Sequence, residues 1–188
     1  LSALDALGKT VVITHSTMAA VREFVEQART HTRSEGAMGA NEEGPVLFVA
    51  TPEGKRGALD AAERALSAVE KKCRIVGCPG LANVDADDRK LMEQGVGASA
   101  LESAIVAAGA GRVLWTDDGV AAQLVQSKFG TKRVWTQAVF RLMNEQGVIA
   151  NDRYARDTAR LLGWRYMFTS VNPEVMRSSG NMAEWRTE

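Results

Sequence analysis

The sequence predicts an α/β fold with a mostly parallel sheet, and three observations carry that expectation. Short β-branched apolar runs alternate with segments of helical periodicity. An apolar-Trp-Thr signature occurs twice, as Leu114-Trp115-Thr116 and Val134-Trp135-Thr136, each at a strand end entering a helix. The C-terminal third carries helix caps and helix breakers and reads as entirely helical.

Lys9 to Thr14 (KTVVIT) is a β-branched run and reads as a buried strand. Ser16 or Thr17 can cap the helix that follows, which gathers Met18, Val21, Phe24, Val25 and Ala28 on one face. Residues 33–45 are rich in glycine and charge, and read as a flexible loop. Pro45 to Thr51 is a second strand, and a helix over 56–72 carries Leu59, Ala62, Leu66 and Val69. Cys73 to Gly77 is a short third strand. Asn83-Val-Asp-Ala-Asp-Asp opens a helix ending near Gly95, and Ser99 to Ala108 is a small, alanine-rich one. Strands at Arg112–Thr116 and Lys132–Thr136 bracket a helix over 119–129 that Gly130 ends. Helices then run over 137–146 and 152–162, the second capped by Asn151 and ended by Gly163. A last helix opens at Asn172-Pro173-Glu174. The Trp-Thr echo places two neighbouring strands ending on one edge of the sheet. No fixed-period repeat is visible.

Composition narrows the function. With 45% hydrophobic and 24% charged residues, a chain of 188 residues is globular and long enough to bury a core. Lys plus Arg equals Asp plus Glu at 23 each, so a nucleic-acid partner would need a local basic patch. Cys73 and Cys78 read as reduced thiols, which with the lack of a secretory leader points to the cytoplasm. No apolar run approaches the roughly 20 residues of a membrane span. The chain starts at Leu1 and not at Met, and reads as part of a longer protein.

The chemistry concentrates at Asp117 and Asp118. In open α/β sheets ligands bind at the carboxyl ends of strands, and paired carboxylates there suit a hard divalent cation. One aspartate suffices as a helix N-cap, which leaves the other free for a ligand. Ser99-Ala-Leu-Glu102 matches a capping box, and its alanine-rich helix can bring Glu102 toward the Asp117 strand end. Thr116, Thr136 and Gln137 are small polar groups at strand ends, suited to phosphate or water. Lys128, Lys132 and Arg133 form a basic group beside the acidic edge, with Trp135 near it. Asp85, Asp87 and Asp88 read as a solvated first helical turn. Neither phosphate-loop nor dinucleotide glycine patterns occur, and serine and cysteine hydrolase signatures are absent.

Ala100-Leu-Glu102-Ser-Ala-Ile-Val-Ala-Ala, then Val113-Leu-Trp-Thr-Asp117-Asp118, then Val134-Trp-Thr-Gln resembles the C-terminal half of a PIN domain. The wording is most similar to PIN-like domains attached to tetratricopeptide-type proteins in bacterial conflict systems, and Gly147-Val-Ile-Ala to Thr169 resembles their helical extension. The likeness is good over about 98–170 and faint over 9–30. It implies a three-layer, mostly parallel α/β domain over 1–136 and a helical C-terminal extension over 137–188. It also implies a metal-dependent endoribonuclease, in which carboxylates hold Mg²⁺ or Mn²⁺ and a metal-activated water cuts RNA. Glu102, Asp117 and Asp118 would be the ligands and catalytic groups. Thr116, Lys132, Arg133 and Gln137 would meet the substrate. The sequence departs from the family pattern twice. The family's first strand and its aspartate would precede Leu1, and the early acidic position after VVIT falls on Ala19–Val21, with Glu23 one turn late. Three readings follow: an RNA-cleaving enzyme, a catalytically degenerate binding or assembly module of a larger chain or homo-oligomer, and a nucleotide-sensing α/β domain.

Overall fold

Parallel strands need crossover connections of a dozen or more residues, and this chain supplies them with helices. A computed structural model describes residues 2–30, 36–41, 44–49, 51–164, 166 and 169–184. In chain order the elements are α1 (Ser2–Ala6), β1 (Val11–Thr14), α2 (His15–Thr30), β2 (Gly36–Asn41), β3 (Gly44–Val49), α3 (Pro52–Lys72) and β4 (Cys73–Val76). A short 3-10 helix (Pro79–Asn83) leads to α4 (Ala86–Val96), α5 (Ala98–Ala107), β5 (Leu114–Trp115) and α6 (Gly119–Phe129). Then come β6 (Arg133–Val134), α7 (Thr136–Glu145), α8 (Asn151–Gly163) and α9 (Pro173–Met182).

β1 pairs in parallel with β4, Val11 opposite Cys73 through Thr14 opposite Val76. β5 pairs in parallel with β6, Leu114 opposite Arg133 and Trp115 opposite Val134. The expected alternation and parallel pairing are therefore present, and the two Trp-Thr strand ends are indeed neighbours. Among the described residues, however, the strands form three separate two-stranded ladders and not one broad sheet. β5 and β6 are short because both strand ends turn at once into helices. Thr116 folds its hydroxyl back onto the Asp118 N–H at 3.2 Å, and Thr136 is already the first residue of α7.

The stretch expected as a flexible loop contains β2, which pairs antiparallel with β3 from Gly36 opposite Val49 to Asn41 opposite Gly44. Its Gly and Ala residues give no period-two apolar signal for a pattern to detect. The strand expected at 45–51 thus belongs to a hairpin. Residues 33–35, 42 and 43 of that loop lie outside the described residues.

Several caps moved by a residue or two. Thr14, not Ser16 or Thr17, accepts the Thr17 N–H at the start of α2, at 3.2 Å. α3 begins at Pro52, four residues before its expected start, because Thr51 accepts the Gly54 N–H and Pro52 suits the first helical turn. Asn151 is the first residue of α8, whose cap position is Ala150. Asn172 and Gly130 act as expected, Asn172 accepting an N–H of its helix and Gly130 ending α6 at φ +64°, while Asp85, expected within a first turn, stands before α4 as its N-cap.

The alanine-rich α5 is the centre of packing and touches α2, α4, α6, β1 and β5. Leu101 and Ala104 are fully buried with Val125 and Met92, and Leu81, Ile105, Leu114 and Phe129 close around them. Truncating a leucine in such a site costs about 2–5 kcal/mol. The 3-10 helix lies so near that a β-carbon on Gly80 would sit 2.8 Å from Ile105 Cγ2. Thr131 donates its hydroxyl to the Ala104 carbonyl at 3.2 Å and ties the approach to β6 onto α5. α2 and α3 run antiparallel, bridged on their exposed side by Arg22–Glu70 and Arg29–Glu63. A second cluster joins Leu4, Val139, Met143 and Ile149, so α7 seals the region around α1.

Thr158 in α8 is fully buried, and its hydroxyl has no hydrogen-bond partner among the described residues. A buried unpaired hydroxyl costs about 1–3 kcal/mol. Thr158→Val, equal in shape, is expected to stabilise the protein by about 1 kcal/mol. Urea denaturation measures this, and a destabilised variant would refute the assignment.

Candidate functional site

The site grows from the two parallel strand ends. β5 stops at Trp115, Thr116 turns the chain, and Asp118 caps α6 by accepting the Ala121 N–H at 2.9 Å. That cap commits Asp118 to the helix. Asp117 points instead at the neighbouring strand end. One of its oxygens accepts the Thr136 N–H at 2.8 Å, and the other accepts the Thr136 hydroxyl. The Trp115 indole N–H approaches the same hydroxyl at 3.0 Å. An indole nitrogen only donates, so Thr136 Oγ1 accepts from Trp115 and must send its own proton to Asp117. The result is a directed chain, Trp115 to Thr136 to Asp117, that spans β5 and β6. Asp117 is thus engaged through both oxygens, where the sequence suggested a free aspartate.

Glu102 takes another partner. The expected capping box does not form, because α5 starts at Gly97, which adopts φ +82° and serves as the N-cap. Ser99 then lies inside the first turn, and Glu102 stands two residues beyond the position from which it could reach back to the Gly97 cap. Glu102 Oε2 accepts the Ser16 hydroxyl at 2.8 Å, on the β1 side of α5. A chain of hydroxyls runs on from Ser16. Thr14, 1% exposed, bonds Ser16 at 2.8 Å and Thr17 at 2.9 Å, and Thr17 bonds Ser103 at 3.0 Å. The Cys78 thiol faces the Glu102 carbonyl at 3.7 Å. Burial, with a smaller push from Glu102, raises the Cys78 pKa, and burial raises that of Cys73. Neither thiol has the electropositive setting of a reactive nucleophile.

Gln137 is 4% exposed and spends its amide inside the protein, donating to the Ser170 carbonyl and accepting the Ser170 N–H, each at 2.6 Å. A buried, saturated amide holds structure, and it is not placed to meet a substrate. Thr116 is half-buried and engaged with Asp118, while Lys132 and Arg133 are exposed beside the edge. Lys128 of the basic group pairs with Asp88 on α4. Tyr166 is 36% exposed, and partial burial, with a smaller push from the Asp117 charge, raises its pKa above the usual 10.0.

A divalent cation needs several converging oxygen ligands. Among the described residues no three His, Cys, Asp or Glu side chains gather closely enough to hold one. Asp117 faces Thr136, Asp118 faces its own helix and Glu102 faces Ser16, so these residues do not fit a self-contained metal centre. Sequence reasoning missed the Glu102 hydroxyl set, although Thr14-His-Ser16-Thr17 directly after a strand was a visible signal. It also missed Tyr166 and Ser170, whose roles depend on contacts far along the chain.

A family model described as the PIN domain associated with the TPR-GreAB-C-PIN system matches residues 1–127. No curated protein and no solved structure matches the chain.

The two aspartates should separate cleanly on substitution. Asp118→Asn keeps a good N-cap and is expected to be nearly neutral, whereas Asp118→Ala should cost about 1 kcal/mol. Asp117→Asn replaces one acceptor with a donor facing Thr136 and should cost about 1–3 kcal/mol. Chemical denaturation of the three variants checks this order. Equal effects of the two asparagine variants would contradict the Thr136 lock.

Proposed function

Because the chain belongs to the PIN domain family associated with the TPR-GreAB-C-PIN system, we propose that this nuclease-type module serves binding and assembly in that system, and is not a self-sufficient metal-dependent ribonuclease. One observation carries the reading: both oxygens of Asp117, the carboxylate best placed for a cation, accept hydrogen bonds from Thr136. The commitments of Asp118 to α6 and of Glu102 to Ser16 support it. The working face would be the strand-end edge, where Trp115 and Trp135 are 38% and 40% exposed beside Lys132. Partly exposed aromatic and basic groups are common anchors in protein–protein contacts. The other TPR-linked components of the system are the natural partners for that face, in the same chain or in a separate one.

A second reading has its own support. Family membership and the positions of Glu102 and Asp117 in the motif favour an endoribonuclease that uses Mg²⁺ or Mn²⁺ on RNA. In that reading Glu102 and Asp117 would turn to the ion, which would supply an activated water and neutralise phosphate charge.

One set of measurements separates the readings. Structured and single-stranded RNA is incubated with the protein in Mn²⁺, Mg²⁺ or a chelator, and Mn²⁺ binding is followed by calorimetry. The binding reading expects no metal-dependent cleavage and no stoichiometric Mn²⁺ heat. Cleavage in Mn²⁺ that Asp117→Asn abolishes would overturn it in favour of the enzyme. Thermal stabilisation by nucleotides but not by Mn²⁺ would favour the nucleotide-sensing alternative.

A further inference from the structure

Where β1 runs into α2, five side chains are joined oxygen to oxygen and end on Glu102. The Ser16 hydroxyl donates to Glu102 Oε2 at 2.8 Å, and this one bond fixes the proton on every other hydroxyl of the set. A hydroxyl carries a single proton and accepts on its lone pairs. Ser16 has spent its proton on Glu102, so Thr14, 2.8 Å away, must donate to Ser16. Thr14 has then spent its own. Thr17, 2.9 Å away, therefore donates its hydroxyl to Thr14, which also accepts the Thr17 N–H at 3.2 Å. The same step makes Ser103 the donor to Thr17 at 3.0 Å. The protons run one way, from Ser103 through Thr17, Thr14 and Ser16 to Glu102. The path leaves α5 at Ser103, crosses the end of β1 and the first turn of α2, and returns to α5 at the adjacent residue. Thr14, in the middle, is 1% exposed, so solvent does not stand in for its partners.

We infer that this chain positions the Glu102 carboxylate, with Ser16 holding it directly and Thr14, Thr17 and Ser103 acting through Ser16. Hydrogen bonds in series polarise one another, so each donor strengthens the next and a loss at the start is felt at the end. Its neighbour Leu101 is fully buried in the α5 core, so the backbone of Glu102 is anchored by packing and its tip by α2. The inference goes beyond the reading of the Asp117 edge and does not depend on it. A ligand that needs Glu102 to swing away must break the chain, whereas one that meets Glu102 in place finds it already ordered and is spared that part of the binding entropy.

NMR on the whole chain without any ligand tests this between residues that are not bonded to each other. In Thr17→Val, similar in shape but without a hydroxyl, the side-chain carboxyl carbon of Glu102 is expected to shift, and Thr17→Ser should return it to its original position. In Ser103→Ala, which leaves the Thr17 side chain in place, the hydroxyl proton of Thr14 should shift. Ala20→Val, at an exposed position of the same helix, should move neither signal. An unmoved Glu102 signal in Thr17→Val would overturn the proposal, because Ser16 would then hold the carboxylate unaided. An unmoved Thr14 proton in Ser103→Ala would overturn it too, as would an equal response to Ala20→Val or a failure of Thr17→Ser to restore the signal.

Discussion

The bond set between Asp117 and Thr136 is the constraint on which the rest of this architecture turns. β5 and β6 share only two residue pairs, too few for a ladder to stand alone. Asp117 prolongs the ladder with a side chain, taking the amide and the hydroxyl of Thr136 where the next backbone rung would fall. Trp115 then sets the sense of the hydroxyl from the other strand. One carboxylate thus joins two strands, starts α7 in register and positions the residue that grips the C-terminal part. The feature that draws attention as chemistry is also what closes the fold.

That double role explains what was legible in the sequence. Signals confined to a few consecutive residues came through: the VVIT strand, the Asn172 cap, the left-handed Gly130 and the twin Trp-Thr strand ends. Features defined by distant partners did not. Glu102 fitted a local capping box, but Gly97 started the helix earlier and Ser16, 86 residues away, became its partner. Gln137 looked like a polar group at a strand end, yet its partner lies 33 residues on. β2 was hidden for a different reason, since Gly and Ala carry no alternation for a pattern to detect. Asp117 looks in the local sequence like a free ligand carboxylate, and its bonds to Thr136, 19 residues on, are not visible there.

The likeness to a nuclease and the behaviour of the carboxylates are separable, as fold and function often are. A parallel strand edge followed by helix starts will collect aspartates whether or not a cation is held there, because caps and cross-strand bonds require acceptors at the same positions. Asp118 and Asp117 illustrate the two structural uses side by side. Glu102 stands apart at the end of a chain of hydroxyls on the β1 side of α5, so the acidic residues of the motif are divided between two neighbourhoods.

The contact between the 3-10 helix and α5 links two positions that sequence alone would treat as independent. A side chain at Gly80 collides with the Cγ2 branch of Ile105. Valine at 105 keeps that branch and offers no relief, whereas alanine removes it. Bulk at 80 therefore forces either residue 105 or the 3-10 turn itself to give way. Cys78 rests on the Glu102 carbonyl from this same turn, so a forced shift there would also disturb the hydroxyl chain.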